Sequence, residues 1–543
     1  VDRILDPSFG GCVFLNAAME ALSALGCQNP VQLVFGVDVD PKAIRYAEPI
    51  LRCGAAKGQF VTADFLGLRP EALGEDLFDV VVGNPPYVKH QWLKGEVRQA
   101  AELVRKNAGV KIPGRASYWA YFVAHCLSFL APGGRLALIL PGTFLHADYA
   151  SEIRQDLVKR FRQVVLILLH ERVFRGAQEE SVILLAEGYG TDPEYAGIAT
   201  AESIQKLNDT VSNLPVTTTP LNNRADNGNW LKSVMSSTGV ELYEKLSQSM
   251  MTIKLGELAK ISIGTVTGAN AFFALTSEQR RALNIPLAWV RPLIARSSFL
   301  RGLTFTDGDW SSMAAHKAAR VFLIDTSRKV PLPPPLETYL RHGCDRGIHQ
   351  AYKCRTRHPW HAVPICPPPD AFLQYMAALQ PRLVLNYSRA SCTNSIHTVN
   401  WAMPLSKKMI ASVALSFLST FTQLSIELAG RSYGGGVLKL EPGEAVRVQL
   451  VLPDDGIDNA IDLLDKTDKL LKARHTIEAS FLVDTVVLRK CLGLSEKEIQ
   501  ALRNDVSCLV RRRLGKKGAS SSLSAEWAGS EERITVPHIA PLS

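Results

Sequence analysis

Long apolar runs are missing from this chain. No stretch of 18 residues is free of breakers and polar groups, which is about the length a membrane-crossing helix needs. The nearest candidate, MIASVALSFLSTFTQLSIEL, is punctuated by Ser, Thr and Gln and reads as a buried helix or strand pair. No signal peptide is visible, and no membrane partner is expected. Cys-x-x-Cys is also missing. Ten scattered cysteines in 543 residues read as reduced, intracellular thiols rather than a disulfide framework. Cys344, Cys354 and Cys366 lie near His342, His349, His358 and His361, but their spacing fits no compact zinc knuckle, and no metal is expected. The three-glycine fingerprint of a dinucleotide site is incomplete, because Cys12 stands in DPSFGGC where a further glycine would fall. There is no internal repeat. No acidic–lysine cluster of the nuclease kind is clear enough to support a fused cutting activity.

What is present is globular. The composition is 46% hydrophobic and 21% charged, and the length calls for two or three domains. A formal charge of +9 permits nucleic acid or an acidic surface as partner without requiring either. The first third alternates strands and helices. Ile4 and Leu5 form a strand, Asp6 to Gly11 a turn, and Phe14, Leu15, Ala18, Leu22 and Leu25 recur at helical spacing. VQLVFGVDVDP is the second strand, with Pro41 opening the next helix. GQFVTADFL is the third and LFDVVVGNPPY the fourth. SYWAYFVAHCLSFL is an amphipathic helix capped by Ser117, and RLALILP is the fifth strand. This alternation predicts an α/β fold with a mostly parallel sheet covered on both faces.

Ligands of such sheets bind beyond the carboxyl ends of the strands. Asp6, Asp38, Asp64 and Asn84 each fall at such an end. Turns favour Asp and Asn on their own account, so any one of them could be a plain turn residue. The DPSFGG turn lets backbone approach a ligand. Asp38 can accept from ribose hydroxyls, whereas Asp40, in a Asp-Pro step, reads rather as a turn or helix cap. Asp64 and Phe65 suit an adenine, by a hydrogen bond to its amine and by ring packing. An acid-lined pocket repels phosphates and suits a nucleoside that carries positive charge; a sulfonium cofactor fits. The tetrad Asn84-Pro85-Pro86-Tyr87 carries the remaining chemistry. The prolines stiffen the backbone. The Asn84 amide oxygen and the Pro85 carbonyl then form two fixed acceptors, matching the two hydrogens of an exocyclic amine. Tyr87 adds a flat face. Such an amine is a poor nucleophile because its lone pair is delocalised into the ring. Two acceptors orient it and stabilise the positive charge it develops. No protein nucleophile is required.

DPSFGGCVFL, GVDVDPKAI, ADFL and VVGNPPYV, in this order, resemble a gamma-class N6-adenine DNA methyltransferase of the Eco57I-like and TaqI-like kind found in restriction–modification systems. The resemblance covers about residues 3–190 well. It implies a Rossmann-like, S-adenosylmethionine-dependent methyltransferase domain over 1–190 and a linker or crossover over 191–250. A mixed α+β target-recognition region over 251–455, a helical segment over 456–515 and a flexible tail over 516–543 follow. By the same match Asp6, Pro7 and Gly10 shape the S-adenosylmethionine pocket, Asp38 binds the ribose, and Asp64 reads the cofactor adenine beside Phe65. Asn84, Pro85, Pro86 and Tyr87 form the catalytic tetrad. Tyr87 stacks on the target base, and Phe174 in ERVFRGAQEESVILLAE packs on its other face. Such chemistry takes the base out of the duplex. The implied partners are double-stranded DNA and a separate restriction endonuclease or defence-system subunit, in the cytoplasm of a prokaryote. There are two departures. The family often reads Gly-x-Gly where this chain has Gly11-Cys12, and it usually has a cofactor-binding segment upstream of the first strand, whereas this chain opens abruptly on VDRILDPSFGG.

The basic stretch KHQWLKGEVRQAAELVRKNAGVKIPGRAS reads as a loop over the pocket, a phosphate contact or a solvated helix. In the second half, Arg296, Arg355, Arg357 and Arg389 are candidate DNA contacts among aromatics, although solvated surface is the more ordinary reading of any single one. Gly434 to Gly436 read as structural. GIDNAIDLLDKTDKLLKA is a helix with Ile457, Ile461, Leu464 and Leu471 on one face; the next helix opens on a capping box of Ser495 and Glu498, and its RRRLGKK end either meets phosphates or is solvated. Two other activities use the same tetrad or region: methyl transfer to a protein glutamine or an RNA amine, and sequence-specific DNA binding by a catalytically inactive chain.

Overall fold

Short runs of β-branched and aromatic residues build a nine-stranded sheet from β1 (Ile4–Asp6), β2 (Val34–Asp38), β3 (Phe60–Thr62), β4 (Phe78–Gly83), β5 (Leu130–Pro141), β6 (Phe161–Leu169), β7 (Ser181–Tyr189), β8 (Tyr195–Ala201) and β9 (Thr219–Pro220). This is a computed structural model, and it describes residues 2–55, 58–74, 77–88, 90–169, 181–201, 203–214, 219–220, 230–327, 330–433 and 436–514. The strand order is β3-β2-β1-β4-β5-β7-β6-β8-β9. Strands β1 to β5 run parallel, and β7 is inserted antiparallel between β5 and β6. The chain moves outward from β1 to β3 and then returns to place β4 on the other side of β1. The topological switch therefore lies between β1 and β4, where an open α/β sheet has its crevice.

Helices α1 (Val13–Ala24), α2 (Ile44–Arg52), α3 (Gly95–Asn107), α4 (Tyr118–Cys126) and α5 (Ser151–Arg160) accompany these strands. The expected α/β architecture is present, with corrections. Helix α4 is not amphipathic: every residue but His125 is buried, as befits a helix packed on all sides. Ser117 precedes it without capping it, and its hydroxyl accepts from Tyr149 Oη at 3.2 Å instead. Strand β8 lies in the stretch expected as a linker, yet it pairs with β6 in parallel. The basic stretch after the tetrad contains α3, whose Ala101 and Val104 are buried while Arg98 and Lys106 are exposed.

The chain divides into two units between Met235 and Ser236, inside the segment 191–250. Ser236 joins the second unit, where its N–H donates to Asp505 Oδ1 at 2.8 Å. That unit holds a five-stranded sheet (Ala259–Ile263, His397–Trp401, Ala371–Leu373, Leu383–Tyr387, Thr304–Thr306) and a four-stranded sheet (Ala274–Thr276, Arg320–Ile324, Val290–Ile294, Ser391–Cys392). The most apolar stretch forms two buried helices, Lys407–Leu418 and Thr420–Ala429, bent by 66° about Ser419, and neither is long enough to cross a membrane. In the helix Ala460–Lys472 the buried residues are Ala460, Leu463, Leu464, Thr467, Asp468 and Leu471. Ile461 is a correction: it is 50% exposed, at the first turn of the helix. Ser495 and Glu498 form the expected capping box, with Ser495 N–H donating to Glu498 Oε2 at 2.7 Å and Glu498 N–H to Ser495 Oγ at 3.3 Å. Within RRRLGKK, Arg513 is neither a phosphate contact nor solvated, because its guanidinium is buried against Glu427 at 2.7 Å. Residues 516–543 lie outside the described residues.

Gly36, in the middle of β2, leaves room for the Phe9 ring. A Cβ there would stand 2.7 Å from Phe9, 3.0 Å from Phe60 and 3.2 Å from Leu15. Phe9 is buried, and its N–H donates to the Val37 carbonyl at 3.2 Å, so the glycine turn is pinned on β2. Gly36→Ala is expected to destabilise the first unit by about 1–3 kcal/mol, the usual cost of overpacking. A lowered denaturant midpoint for that unit checks it; an unchanged midpoint would show that the rings move aside freely.

Candidate active site

The carboxyl ends of β1, β2 and β4, and the turn after β3, bring Asp6, Asp38, Asn84 and Asp64 to one edge of the sheet. Asp6 is fully buried at the switch point. Its Oδ1 accepts from Ser8 N–H at 3.0 Å, and Ser8 Oγ donates to the Asn84 carbonyl at 3.1 Å. A Cβ on Gly83 would lie 2.9 Å from Asp6 Oδ1, so the absence of a side chain at Gly83 is what lets the two strand ends close on the carboxyl group. Burial raises the Asp6 pKa to about 7; the Ser8 N–H opposes this and the nearby Asp38 adds to it.

Asp38 organises the glycine turn. Its Oδ2 accepts from Gly10 N–H and its Oδ1 from Asp40 N–H, both at 2.8 Å. Asp40 is a turn residue that accepts from Lys42 N–H at 2.9 Å. Pro7 borders Gly83, whose added Cβ would lie 3.4 Å from the Pro7 ring. Gly10 has φ 45°, and Cys12 has φ 58° and ψ 21°. The position expected to need glycine thus keeps a left-handed backbone with a side chain on it, a strain of about 1 kcal/mol or more. The buried thiol is pushed up to about 11, mainly by desolvation and further by Asp6 and Asp38.

Asp64 caps a single turn, accepting from Leu66 N–H at 3.1 Å and from Tyr118 Oη at 2.6 Å on the same oxygen. Phe65 requires a correction. It is 2% exposed and packs against Phe122, His125 and Phe129 with centroids 4.7–4.9 Å apart, so its ring belongs to the core and offers no open face to an adenine. In the tetrad, Pro85 is buried and Asn84, Pro86 and Tyr87 are half-buried. Tyr87 Oη donates to the Ile139 carbonyl of β5 at 3.1 Å, which anchors the far end of its ring. Phe174 lies outside the described residues.

Three acceptors on this edge are buried and accept no hydrogen bond from the described residues: Asp6 Oδ2, Asp64 Oδ2 and Asn84 Oδ1. Buried acceptors are ordinarily satisfied, and leaving one unmade costs about 1–3 kcal/mol. Asp64 Oδ2 and Asn84 Oδ1 are acceptors, and Asp6 Oδ2 joins them where that carboxyl group is ionised, a set that a ligand rich in N–H groups or positive charge would satisfy. Ser8, Gly83 and Tyr118 were missed in the sequence. Ser8 and Gly83 stand next to singled-out residues and could have been found by adjacency; nothing in the sequence ties Tyr118 to Asp64.

The second-unit arginines separate by structure. Arg357 is a correction: its Nη1 donates to the Thr267 carbonyl at 2.7 Å and its Nη2 to the Val266 carbonyl at 2.6 Å, so it braces a loop. Arg355 is exposed and lies over the Tyr352 ring at 5.5 Å. Arg389 is exposed, its backbone N–H meeting Asp307 Oδ1 at 3.4 Å. Arg296 is exposed at the wall of a cavity of about 370 Å³.

Comparison with known proteins matches two family descriptions. Residues 53–174 match the Eco57I restriction-modification methylase, and residues 227–488 match the C-terminal domain of the type II methyltransferase M.Eco57I. Type II methyltransferase M.AccI of Acinetobacter calcoaceticus is 22% identical over 460 residues, covering 81% of this chain and 79% of that protein. Type II methyltransferase M.XamI of Xanthomonas campestris pv. amaranthicola is 24% identical over 465 residues, covering 82% and 80%. Among solved structures, the type IIL restriction-modification enzyme MmeI in complex with DNA shares the fold, with a TM-score of 0.57 at 11% identity over 94% of this chain and 73% of that one.

The buried Asp6 gives the free protein a specific pH dependence. Its pKa of about 7 stands above the ordinary carboxyl value near 4, so between those pH values the folded chain holds a proton that the unfolded chain releases. Its contribution to stability is fully present below about pH 4 and lost as pH rises through about 7, at up to about 1.4 kcal/mol per pH unit. Asp6→Asn is expected to flatten this decline. Denaturant titrations of both proteins from pH 5 to 8 check it, and parallel slopes would contradict it.

Proposed function

Since the chain belongs to the Eco57I-type family of restriction–modification methylases, we propose that it methylates N6 of adenine at a specific site in double-stranded DNA. S-adenosylmethionine is the methyl donor in this reading, and the target base turns out of the duplex. A restriction endonuclease for the same site is the expected counterpart. The observation that carries the proposal is the row of unsatisfied buried acceptors, Asp6 Oδ2, Asp64 Oδ2 and Asn84 Oδ1, along the carboxyl edge of the sheet.

The residues present fit the cofactor. The acceptors of Asp6 and Asp64 suit an amino group or an adenine amine, and Asp38, which already orders Gly10, is left with lone pairs for ribose hydroxyls. When bound, S-adenosylmethionine supplies an electrophilic methyl group. The chain supplies position and charge. Asn84 Oδ1 and the Pro85 carbonyl each accept one hydrogen of the target amine, which holds the nitrogen and favours the charge it gains. No hydrogen bond from the described residues reaches the Pro85 carbonyl or Asn84 Oδ1, so both acceptors are unpaired. Tyr87, held through its hydroxyl by Ile139, offers its ring to the base, replacing part of the stacking lost from the duplex. The amine proton leaves to water.

Asn84→Ala is expected to lower methyl transfer roughly 10²–10³-fold, as for loss of one hydrogen bond to a developing charge, while cofactor affinity is retained. Equal loss of both would contradict the role given to Asn84. Transfer of tritiated methyl to unmethylated duplex DNA, RNA and protein, followed by nucleoside analysis, tests the reaction itself. Label in N6-methyladenine of DNA is expected. Label in protein or RNA, or DNA binding without incorporation, would overturn the proposal.

A further inference from the structure

A second constellation of polar groups lies within the second unit, where three loops are tied together by side chains that are otherwise unexplained. The first is Gly264 to Asn270, the second Thr393 to Ser395, the third Ala295 to Arg296. Thr265, Thr267 and Thr393 are all buried. Thr265 N–H donates to the Cys392 carbonyl at 2.9 Å, and Asn394 N–H to the Thr265 carbonyl at 3.0 Å, which joins the first loop to the second. Thr393 Oγ1 and Ser395 Oγ both donate to the Ala295 carbonyl, at 3.1 and 2.8 Å, which joins the second to the third. From behind, Arg357 braces the Val266 and Thr267 carbonyls.

This framework presents an amide pair at the surface. Asn270 Nδ2 donates to Asn394 Oδ1 at 3.2 Å, while Asn270 Oδ1 accepts from Thr267 Oγ1 at 2.5 Å. The pairing sets the orientation of both amides and leaves Asn394 Nδ2 open, with no partner among the described residues. Asn270 and Arg296 line the same cavity of about 370 Å³, with Phe299 and His316 in its wall and no acidic side chain among its lining residues. Amides held in one orientation beside an exposed guanidinium suit the reading of base edges: Asn pairs with adenine and Arg with guanine in the major groove. Arg355, exposed over the Tyr352 ring, is not among the residues lining this cavity and suits a phosphate contact.

We propose that Asn270, Asn394 and Arg296 form the edge that reads the DNA sequence. The inference rests on the DNA methylation proposed above and names the part of the chain that sets its site. The test uses the full chain and three variants: Arg296→Ala, the double change Asn270→Ala with Asn394→Ala, and Arg355→Ala as a phosphate-contact control. Each is expressed in cells, and the cellular DNA is read by methylation-aware sequencing. For Arg296→Ala and the double variant, discrimination at one or two base pairs of the site is expected to fall about 10-fold or more, with cofactor affinity and melting temperature unchanged. Arg355→Ala is expected to weaken methylation evenly across sequences. A wild-type chain that methylates one site, with both edge variants keeping its full discrimination, would overturn this inference alone. A wild-type chain that transfers no methyl to DNA would overturn the proposed reaction and this inference with it.

Discussion

The closure of β1 against β4 over a buried carboxyl group is the constraint from which the first unit takes its chemistry. Asp6 ends one strand and Gly83 the next, and the carboxyl group fits because Gly83 has no Cβ to strike it. Ser8 then bridges the two ends, ordering the Asp6 carboxylate through its N–H and holding the Asn84 carbonyl through its hydroxyl. One serine therefore couples the buried Asp6 to the tetrad. The cost is a carboxyl group taken out of water with one oxygen unpaired, which is why its pKa rises to about 7. A positive charge beside this carboxyl group would offset that cost.

The same edge shows how a strand end becomes a site. Each carboxylate does structural work with one oxygen and leaves the other buried without a partner among the described residues. Asp64 Oδ1 takes Leu66 N–H and the Tyr118 hydroxyl, while Oδ2 is left unpaired. Asp6 divides its oxygens in the same way. The structural bonds hold the carboxylates in place before any ligand arrives, which lowers the entropy lost on binding. Asp38 differs, since both its oxygens order backbone, at Gly10 and Asp40, and only spare lone pairs remain.

Much of this was legible in the sequence because strand ends are local. β-Branched runs ending on Asp or Asn mark both the strand and its carboxyl terminus, and the prolines of the tetrad forbid continuation. What was not legible depends on contacts distant in sequence. Phe65 sits beside Asp64 in the chain, yet its ring belongs to Phe122, His125 and Phe129, which lie more than fifty residues on. Strand β8 looked like linker because its pairing with β6 lends order to a stretch, YAGIATA, with little apolar periodicity of its own. Cys12 is the informative middle case. The left-handed backbone that a glycine would adopt freely is retained, so the departure from glycine changes the strain of the turn and the space beside it while leaving its shape intact.

Net positive charge was the weakest guide, and the arginines show why. Arg357 braces two backbone carbonyls, Arg503 lies buried on Asp484 at 2.9 Å, and Arg513 lies buried on Glu427. Asp484 in turn accepts from the N–H and hydroxyl of Thr420, at the start of the second helix of the bent pair, so Arg503 neutralises a carboxylate whose structural task is to hold that bend. Removing such an arginine strands a buried acid and damages the fold before it affects any ligand. A guanidinium committed to internal acceptors has few donors left for a phosphate or a base, however basic the surrounding sequence. The surface available to a polyanion is therefore set by arginines the fold does not need, and these stand apart from the others only once the internal acceptors are known.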